Sequence, residues 1–320
     1  MSYTRLVGFG EAMLRLSVRE GASLETAASL DVNVGGAELN GLIAANRAGM
    51  AATWLSALPT HPLGRLVRRH AMANGVVPWT VPIVNEASGR VGTYYLELAS
   101  PPRPHRIVYD RARSVFADLD PHQVDWDEWL DSDTCLYLSG ITPPLGDGPR
   151  KALDQALHVA KERGATVALD VNYRSALWSR DEASRWLRGA LPDVDILCAG
   201  TTDLADVGLG DSDVLADAVE VFGLQALVST AKELDGNRVE VRLRAITPQG
   251  EAQRSAQATV IDPLGAGDAM FGTFLATFPG SDLDRVAEAA LGAAVSCYGI
   301  HGDALTADAW DPAEVRGIVR

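Results

Sequence analysis

Two glycines and one acid stand within four residues at Gly265-Ala266-Gly267-Asp268, directly ahead of the apolar run Ala269-Met270-Phe271. Without a Cβ, backbone at Gly265 and Gly267 bends tightly and lets a ligand come close. Where a helix starts here, its first N–H groups lack intrahelical partners and point out of its N-terminus. That makes an anion site suited to phosphoryl oxygens. An aspartate repels phosphate, so Asp268 fits only if it faces the other reactant and accepts a proton from an attacking hydroxyl. The run therefore implies phosphoryl transfer to a hydroxyl, with Asp268 as base and Gly265, Ala266 and Gly267 supplying backbone donors for the developing charge. A helix start capped by Gly and Asp accounts for the same residues, and the run alone leaves both readings open. Two other glycine-loop chemistries are excluded. The chain has no Gly-x4-Gly-Lys-Ser/Thr run and only three lysines, Lys151, Lys161 and Lys232, and no Gly-x-Gly-x-x-Gly opens a helix after a first strand.

Asp262-Pro263-Leu264-Gly265-Ala266-Gly267-Asp268 resembles the C-terminal signature of the ribokinase-like (PfkB) carbohydrate kinases, and Val34-Gly35-Gly36-Ala37-Glu38-Leu39-Asn40 with Ala44-Ala45-Asn46-Arg47-Ala48-Gly49 resembles the N-terminal one. Leu138-Ser139-Gly140-Ile141-Thr142 and Asp170-Val171-Asn172-Tyr173-Arg174-Ser175-Ala176-Leu177-Trp178 are similar to the 2-keto-3-deoxygluconate kinase branch. These four blocks stand in the family's order, and the resemblance extends over nearly the whole chain. The resemblance implies a sugar kinase using ATP and Mg2+, with a monovalent cation as a further candidate and the metal ligands left unassigned; a cytoplasmic location is expected because the N-terminus shows no charged-then-apolar leader and no apolar stretch approaches ~20 residues. It implies sugar contacts at Gly35, Gly36, Asn40, Tyr94, Tyr109, Arg111 and Arg174, and nucleotide contacts at Asn172, Gly265 and Gly267. A guanidinium fork reads a planar carboxylate through two bonds, which a hydroxyl-only sugar does not need. Arg111 and Arg174 therefore favour a sugar acid, with phosphorylation at a terminal hydroxyl of 2-keto-3-deoxygluconate or a near relative. A fructokinase-like enzyme for a neutral ketose is the alternative. A kinase-like protein that binds sugar or nucleotide without turnover is a third reading, supported by departures from the family pattern. Gly200-Thr201-Thr202-Asp203 stands where the family has Asn-x-x-Glu, and Ser229-Thr230-Ala231-Lys232-Glu233 replaces a glycine-rich turn. Phe271 replaces a small residue, and Arg113 stands where the branch commonly has Gly. Asp303 aligns loosely with a substrate contact, and a surface loop is the expected setting for it.

The elements that position these residues follow from the patterning. Leu6-Val7-Gly8-Phe9 reads as a buried strand ending in a glycine turn, and Leu14, Leu16 and Val18 alternate with Arg15, Ser17 and Arg19 as in a half-exposed strand. Residues Ala37 to Ala48 and Pro62 to Asn74 read as helices closed by Gly49 and Gly75. Val91 to Leu98 and Arg106 to Tyr109 are strands joined by Pro101-Pro102-Arg103-Pro104, without intervening helices, which predicts a separate small sheet. By resemblance this sheet, built from about 12–34 and 80–112, is a lid over the sugar site. Cys135 to Leu138, Thr166 to Leu169, Asp195 to Cys198 and Ala226 to Ser229 are apolar strands, and Arg150 to Arg163 is a helix with Pro149 at its start and Gly164 past its end. The alternation predicts an α/β fold, a mostly parallel central sheet with helices on both faces plus the β lid, as one unit over 1–320. Ligands of such sheets lie at strand C-termini, where Asp170 to Arg174 and Gly265 to Asp268 fall.

The 320-residue chain is 47% apolar, enough for a full core, and its formal net charge of −14 with no Lys/Arg run excludes nucleic acid and anionic membrane as partners. Cys135, Cys198 and Cys297 are widely spaced, which indicates neither a zinc site nor a disulfide framework, and the first two read as buried thiols. The lid's strand edges and apolar face predict a homo-oligomer, at least a dimer, paired lid to lid.

Overall fold

The computed structural model describes residues 3–81, 89–99, 103–206 and 215–305. Pro101 and Pro102 of the lid connection, and part of the segment assigned to the lid between 80 and 112, lie outside them. A nine-stranded sheet forms the body. In chain order its strands are β1 (Arg5–Phe9), β4 (Ala51–Ala57), β5 (Val77–Val81), β8 (Thr134–Ser139), β9 (Thr166–Asp170), β10 (Ile196–Gly200), β11 (Ala226–Asp235), β12 (Arg238–Thr247) and β13 (Gly250–Thr259). They lie in the order β13-β12-β11-β10-β9-β8-β1-β4-β5. Every pairing from β11 to β5 is parallel, and only β12 and β13 add antiparallel strands at one edge. The central strands β8 and β9 are buried throughout, as expected where helices cover both faces.

Helices α1 (Ala37–Arg47), α2 (Pro62–Ala73), α8 (Ala266–Thr277) and α9 (Leu283–Tyr298) cover one face, with Leu42, Val67, Phe271 and Leu291 packed against Leu6, Trp54 and Cys135. The other face carries α3 (Trp126–Trp129), α4 (Asp147–Arg163), α5 (Arg180–Ala190), α6 (Thr201–Asp206) and α7 (Leu215–Phe222), with Leu153, Leu187 and Val219 against Val7, Leu136 and Leu197. Local signals set the ends. Ser179 and Glu182 form a reciprocal cap at the start of α5, and Gly164 ends α4 with φ 71°. Helix α4 begins at Asp147, so Pro149 lies inside its first turn rather than ahead of it. No helix among the described residues is long and apolar enough to cross a membrane.

The second sheet is separate, with β3 (Asp31–Gly35), β2 (Met13–Ser17), β6 (Thr93–Glu97) and β7 (Arg106–Asp110) in that order. Strand β5, at the start of the second segment assigned to the lid, belongs instead to the edge of the main sheet. The half-exposed reading of β2 is also overturned. Arg15 is 1% and Ser17 7% exposed, because the face they share is covered by the body rather than by water. At 229–233, where the family's glycine-rich turn is replaced, β11 runs on to Asp235 and pairs along its length with β12, making a long hairpin. The period-two run Val239, Val241, Leu243 and Ala245, all buried between outward charges, was the signal for β12.

Candidate active site

The site lies where β1, β8 and β9 end and α1 and α8 begin. At the start of α8, Gly265 takes φ 78°, a left-handed conformation that favours glycine. A side chain there would collide with the carbonyl of Asp303, whereas beside Gly267 a Cβ would meet open space. The first N–H groups of α8, those of Ala266, Gly267 and Asp268, have no acceptor within the helix and face outward from its positive end. Helix α1 meets α8 so closely that a Cβ on Gly272 would strike the Gly41 backbone. That approach brings Asn40 to Asp268, and its Nδ2 donates to Asp268 Oδ2 at 2.9 Å. Phe271 replaces a small residue without loss of packing, because its ring meets Tyr137 edge-on at 5.5 Å.

The carboxyl of Asp268 is pushed up to about 7, mainly by burial; the Asn40 hydrogen bond and the Arg174 charge oppose the shift, and Asp303 and Glu38 add to it. Asp170, at the end of β9, is raised well above the usual carboxylate range by burial and by the charges of Asp268 and Asp203. Glu38 is raised by burial, although Ser139 Oγ and Thr142 Oγ1 donate to it at 2.7 and 2.9 Å. Such crowding of acids around one helix mouth disfavours the ionised form of each.

The expected sugar-contact residues come together on both sides of this mouth. Gly35 leaves room that a Cβ would take from the Asp303 carboxylate and the Tyr94 hydroxyl, and Gly36 packs against the backbone of Glu11 and Ala12. Tyr94 and Tyr109 face each other across β6 and β7, with ring centroids 5.8 Å apart. Tyr94 is buried and its hydroxyl donates to Asp303, whereas Tyr109 is 48% exposed. Arg111 is not free: its Nε and Nη2 both donate to Glu11 Oε2, at 2.8 and 2.6 Å. Arg174 is exposed, and its charge acts on both Asp170 and Asp268. Asn172 is buried with φ 38°, a region asparagine tolerates, and its N–H donates to Asp170 Oδ1 at 3.2 Å. Arg113 has φ 57°, which explains in backbone terms why glycine suits that position.

The surface-loop expectation for Asp303 is wrong. It is 8% exposed, Arg15 Nη1 donates to its Oδ1 at 2.6 Å, and burial raises its pKa against the pull of Arg15. Arg15, Glu11, Glu38 and Asp262 were also missed as members of the site. The signal for Glu11 was an acid placed directly after a buried strand; for Arg15 the alternation pointed the wrong way. Cys135, Cys198 and Cys297 are all free and buried.

A model of the pfkB family carbohydrate kinases matches residues 4–306. A 2-dehydro-3-deoxygalactonokinase of Haloferax volcanii is 36% identical, with 98% of this chain and 96% of the relative covered. A 2-dehydro-3-deoxygluconokinase of Thermoproteus tenax is 28% identical over 93% of this chain and 89% of the relative. Among solved structures, a 2-dehydro-3-deoxygluconokinase of Thermotoga maritima superimposes with a TM-score of 0.86 at 28% identity, covering 94% of each chain.

Proposed function

The chain belongs to the pfkB family of carbohydrate kinases, and from that premise we propose that it transfers the γ-phosphoryl group of ATP to a terminal hydroxyl of a 2-keto-3-deoxy sugar acid, the gluconate or its galactonate epimer. The observation that carries the sugar acid is Arg174. Its side chain is exposed and has no hydrogen-bond or ion-pair partner among the described residues, yet its charge reaches the Asp268 base. A guanidinium uncommitted beside the base suits an incoming planar carboxylate. Arg111 contributes less to this reading, because Glu11 already neutralises it.

In the transfer step, ionised Asp268 accepts the hydroxyl proton while Asn40 holds its carboxylate in place. The N–H groups at the Gly265–Asp268 turn hold the charge that develops on the transferred oxygens, where positioning and electrostatics do most of the work. Gly35, Gly36, Tyr94 and Tyr109 line the sugar side beneath the small sheet, which acts as a lid on the one catalytic unit. Asn172, Gly265 and Gly267 line the nucleotide side. No cluster of three His, Cys, Asp or Glu among the described residues forms a metal cage. Mg2+ is commonly held by one or two carboxylates together with waters and phosphate oxygens. Asp170 and Asp203, close enough for their charges to interact, are the residues that would hold it. Bound there, the ion would neutralise charge on the nucleotide phosphates. The free thiols suit a reducing compartment, so the reading includes a cytoplasmic location.

The test is Arg174→Ala on a panel of sugars and sugar acids with ATP, read by ADP release. Loss of a charge-assisted bond worth ~1.5–3 kcal/mol predicts a ten- to hundredfold fall in kcat/KM for the keto-deoxy acid, with activity on fructose hardly changed. Arg174→Lys should recover only part, since an ammonium lacks the planar fork. Equal losses on acid and neutral sugars would assign Arg174 to the nucleotide and move the neutral-ketose reading ahead.

A further inference from the structure

Arg15 lies in the lid sheet, in the middle of β2, paired in register with Asn33 on one side and Tyr94 on the other. It is among the largest fully buried side chains in the protein, at 1% exposure. Its guanidinium leaves the lid and enters the body. There Nη1 donates to Asp303 Oδ1 at 2.6 Å, and Nη2 donates to Asp262 Oδ2.

Those two acids hold the two loops that shape the helix mouth. Asp262 opens the turn into α8: its Oδ1 accepts the N–H of Leu264 at 3.2 Å, and its Oδ2 accepts the N–H of Gly302 at 3.1 Å. Asp303 accepts the Tyr94 hydroxyl on its other oxygen, and its carbonyl sits against Gly265 so tightly that no Cβ fits between them. One guanidinium therefore ties β2 to both loops that set the direction of the Ala266, Gly267 and Asp268 N–H groups.

The charge balance points the same way. Two carboxylates buried side by side cannot both stay ionised without a cation, and a protonated carboxyl would lose acceptor capacity. Burial works against the charge on Arg15, but Asp303 and Asp262 outweigh it and its pKa is raised. An arginine stays charged at any pH at which the protein is folded. Arg15 thus brings to this acid pair a positive charge that is part of the chain itself.

We propose that Arg15 is a positioning residue for phosphoryl transfer, serving as the built-in cation of the Asp262–Asp303 pair and locking the lid strand to the anion-binding turn. The inference rests on the kinase reading for its kinetic consequences, but the lock itself is a property of the fold.

The experiment compares wild type, Arg15→Lys and Arg15→Met. Steady-state kinetics are run in buffer free of alkali and ammonium ions, then with added K+. Hydrogen exchange of the 262–269 and 302–303 segments is measured on the same ligand-free proteins. Arg15→Met should lower kcat about a hundredfold, the scale of a lost oxyanion donor, with the KM for ATP little changed. Its Leu264 and Gly302 amides, which donate to Asp262, should exchange at least tenfold faster than in wild type. Arg15→Lys should recover part of both effects, because an ammonium holds one acid better than two. Wild type should turn over without added K+. A folded Arg15→Met variant with near-normal kcat and unchanged loop exchange overturns the proposal, as does a wild type that is inactive until K+ is added. A wild type that turns over no sugar with or without K+, alongside accelerated loop exchange in Arg15→Met, sinks the kinase reading and leaves the lock standing. Should Arg15→Met fail to fold, the Arg15→Lys exchange pattern and the wild-type cation response decide the matter.

Discussion

The most direct prediction concerns protonation of Asp268. Its carboxyl sits at about 7, raised chiefly by burial. A base must be ionised to act, so activity is lost as pH falls through that value. With a pKa near 7, about ten-elevenths of the enzyme is ionised at pH 8 and about one-eleventh at pH 6, so kcat/KM should fall roughly tenfold between them. The Asn40 hydrogen bond favours the ionised form. Removing a charge-assisted bond of ~1.5–3 kcal/mol raises the pKa by about 1–2 units. Asn40→Ala should therefore move the acid limb of the kcat/KM profile upward, toward pH 8 or beyond. Asp268→Asn should abolish the limb and lower kcat by ~10²–10⁴. Stability runs the other way. The native state binds this proton more tightly than the unfolded chain does, so the group's contribution is favourable below the unfolded value near 4 and is lost as pH rises through about 7. Asp268→Asn should then be more stable than wild type at pH 8, with a ceiling of about 4 kcal/mol. The assay is a pH series of ADP release at low sugar concentration, paired with denaturant unfolding at pH 5 and 8. An acid limb below pH 5, unmoved by Asn40→Ala, would refute the assignment of Asp268 as base.

Gly272→Ala should destabilise by ~1–3 kcal/mol, read as a lower denaturant midpoint, because its Cβ would strike the Gly41 backbone and push α1 from α8. The same displacement should lower kcat by separating Asn40 from Asp268. The small sheet presents exposed Val32, Val108 and Tyr109. We expect a homodimer through it, and light scattering showing a monomer at micromolar concentration would count against that surface as an interface.

The glycine turn into α8 was legible in the sequence because its physics is local. Gly265 makes a tight bend that only its left-handed φ allows, and a glycine at that point is the residue type that announces such a bend. The parallel sheet was legible for a similar reason: strands such as β8 and β9 are buried on both faces, so they read as unbroken apolar runs. The small sheet followed from strands without helices between them. What only the tertiary structure decided is which face of a strand meets protein and which meets water. Arg15 looks outward by alternation, and it is buried because Asp262 and Asp303, which lie far along the chain, supply the counter-charge that makes burial affordable. Asp303 looks like a surface residue for the converse reason. No local pattern announces that an arginine from the small sheet will reach it, or that Glu11 will take the charge of Arg111. Residue type and short spacing determine the turns, the caps and the strands. The pairing of buried charges is set by the topology that folds the small sheet onto the body, since desolvation is tolerable only where an opposite charge arrives from elsewhere in the chain.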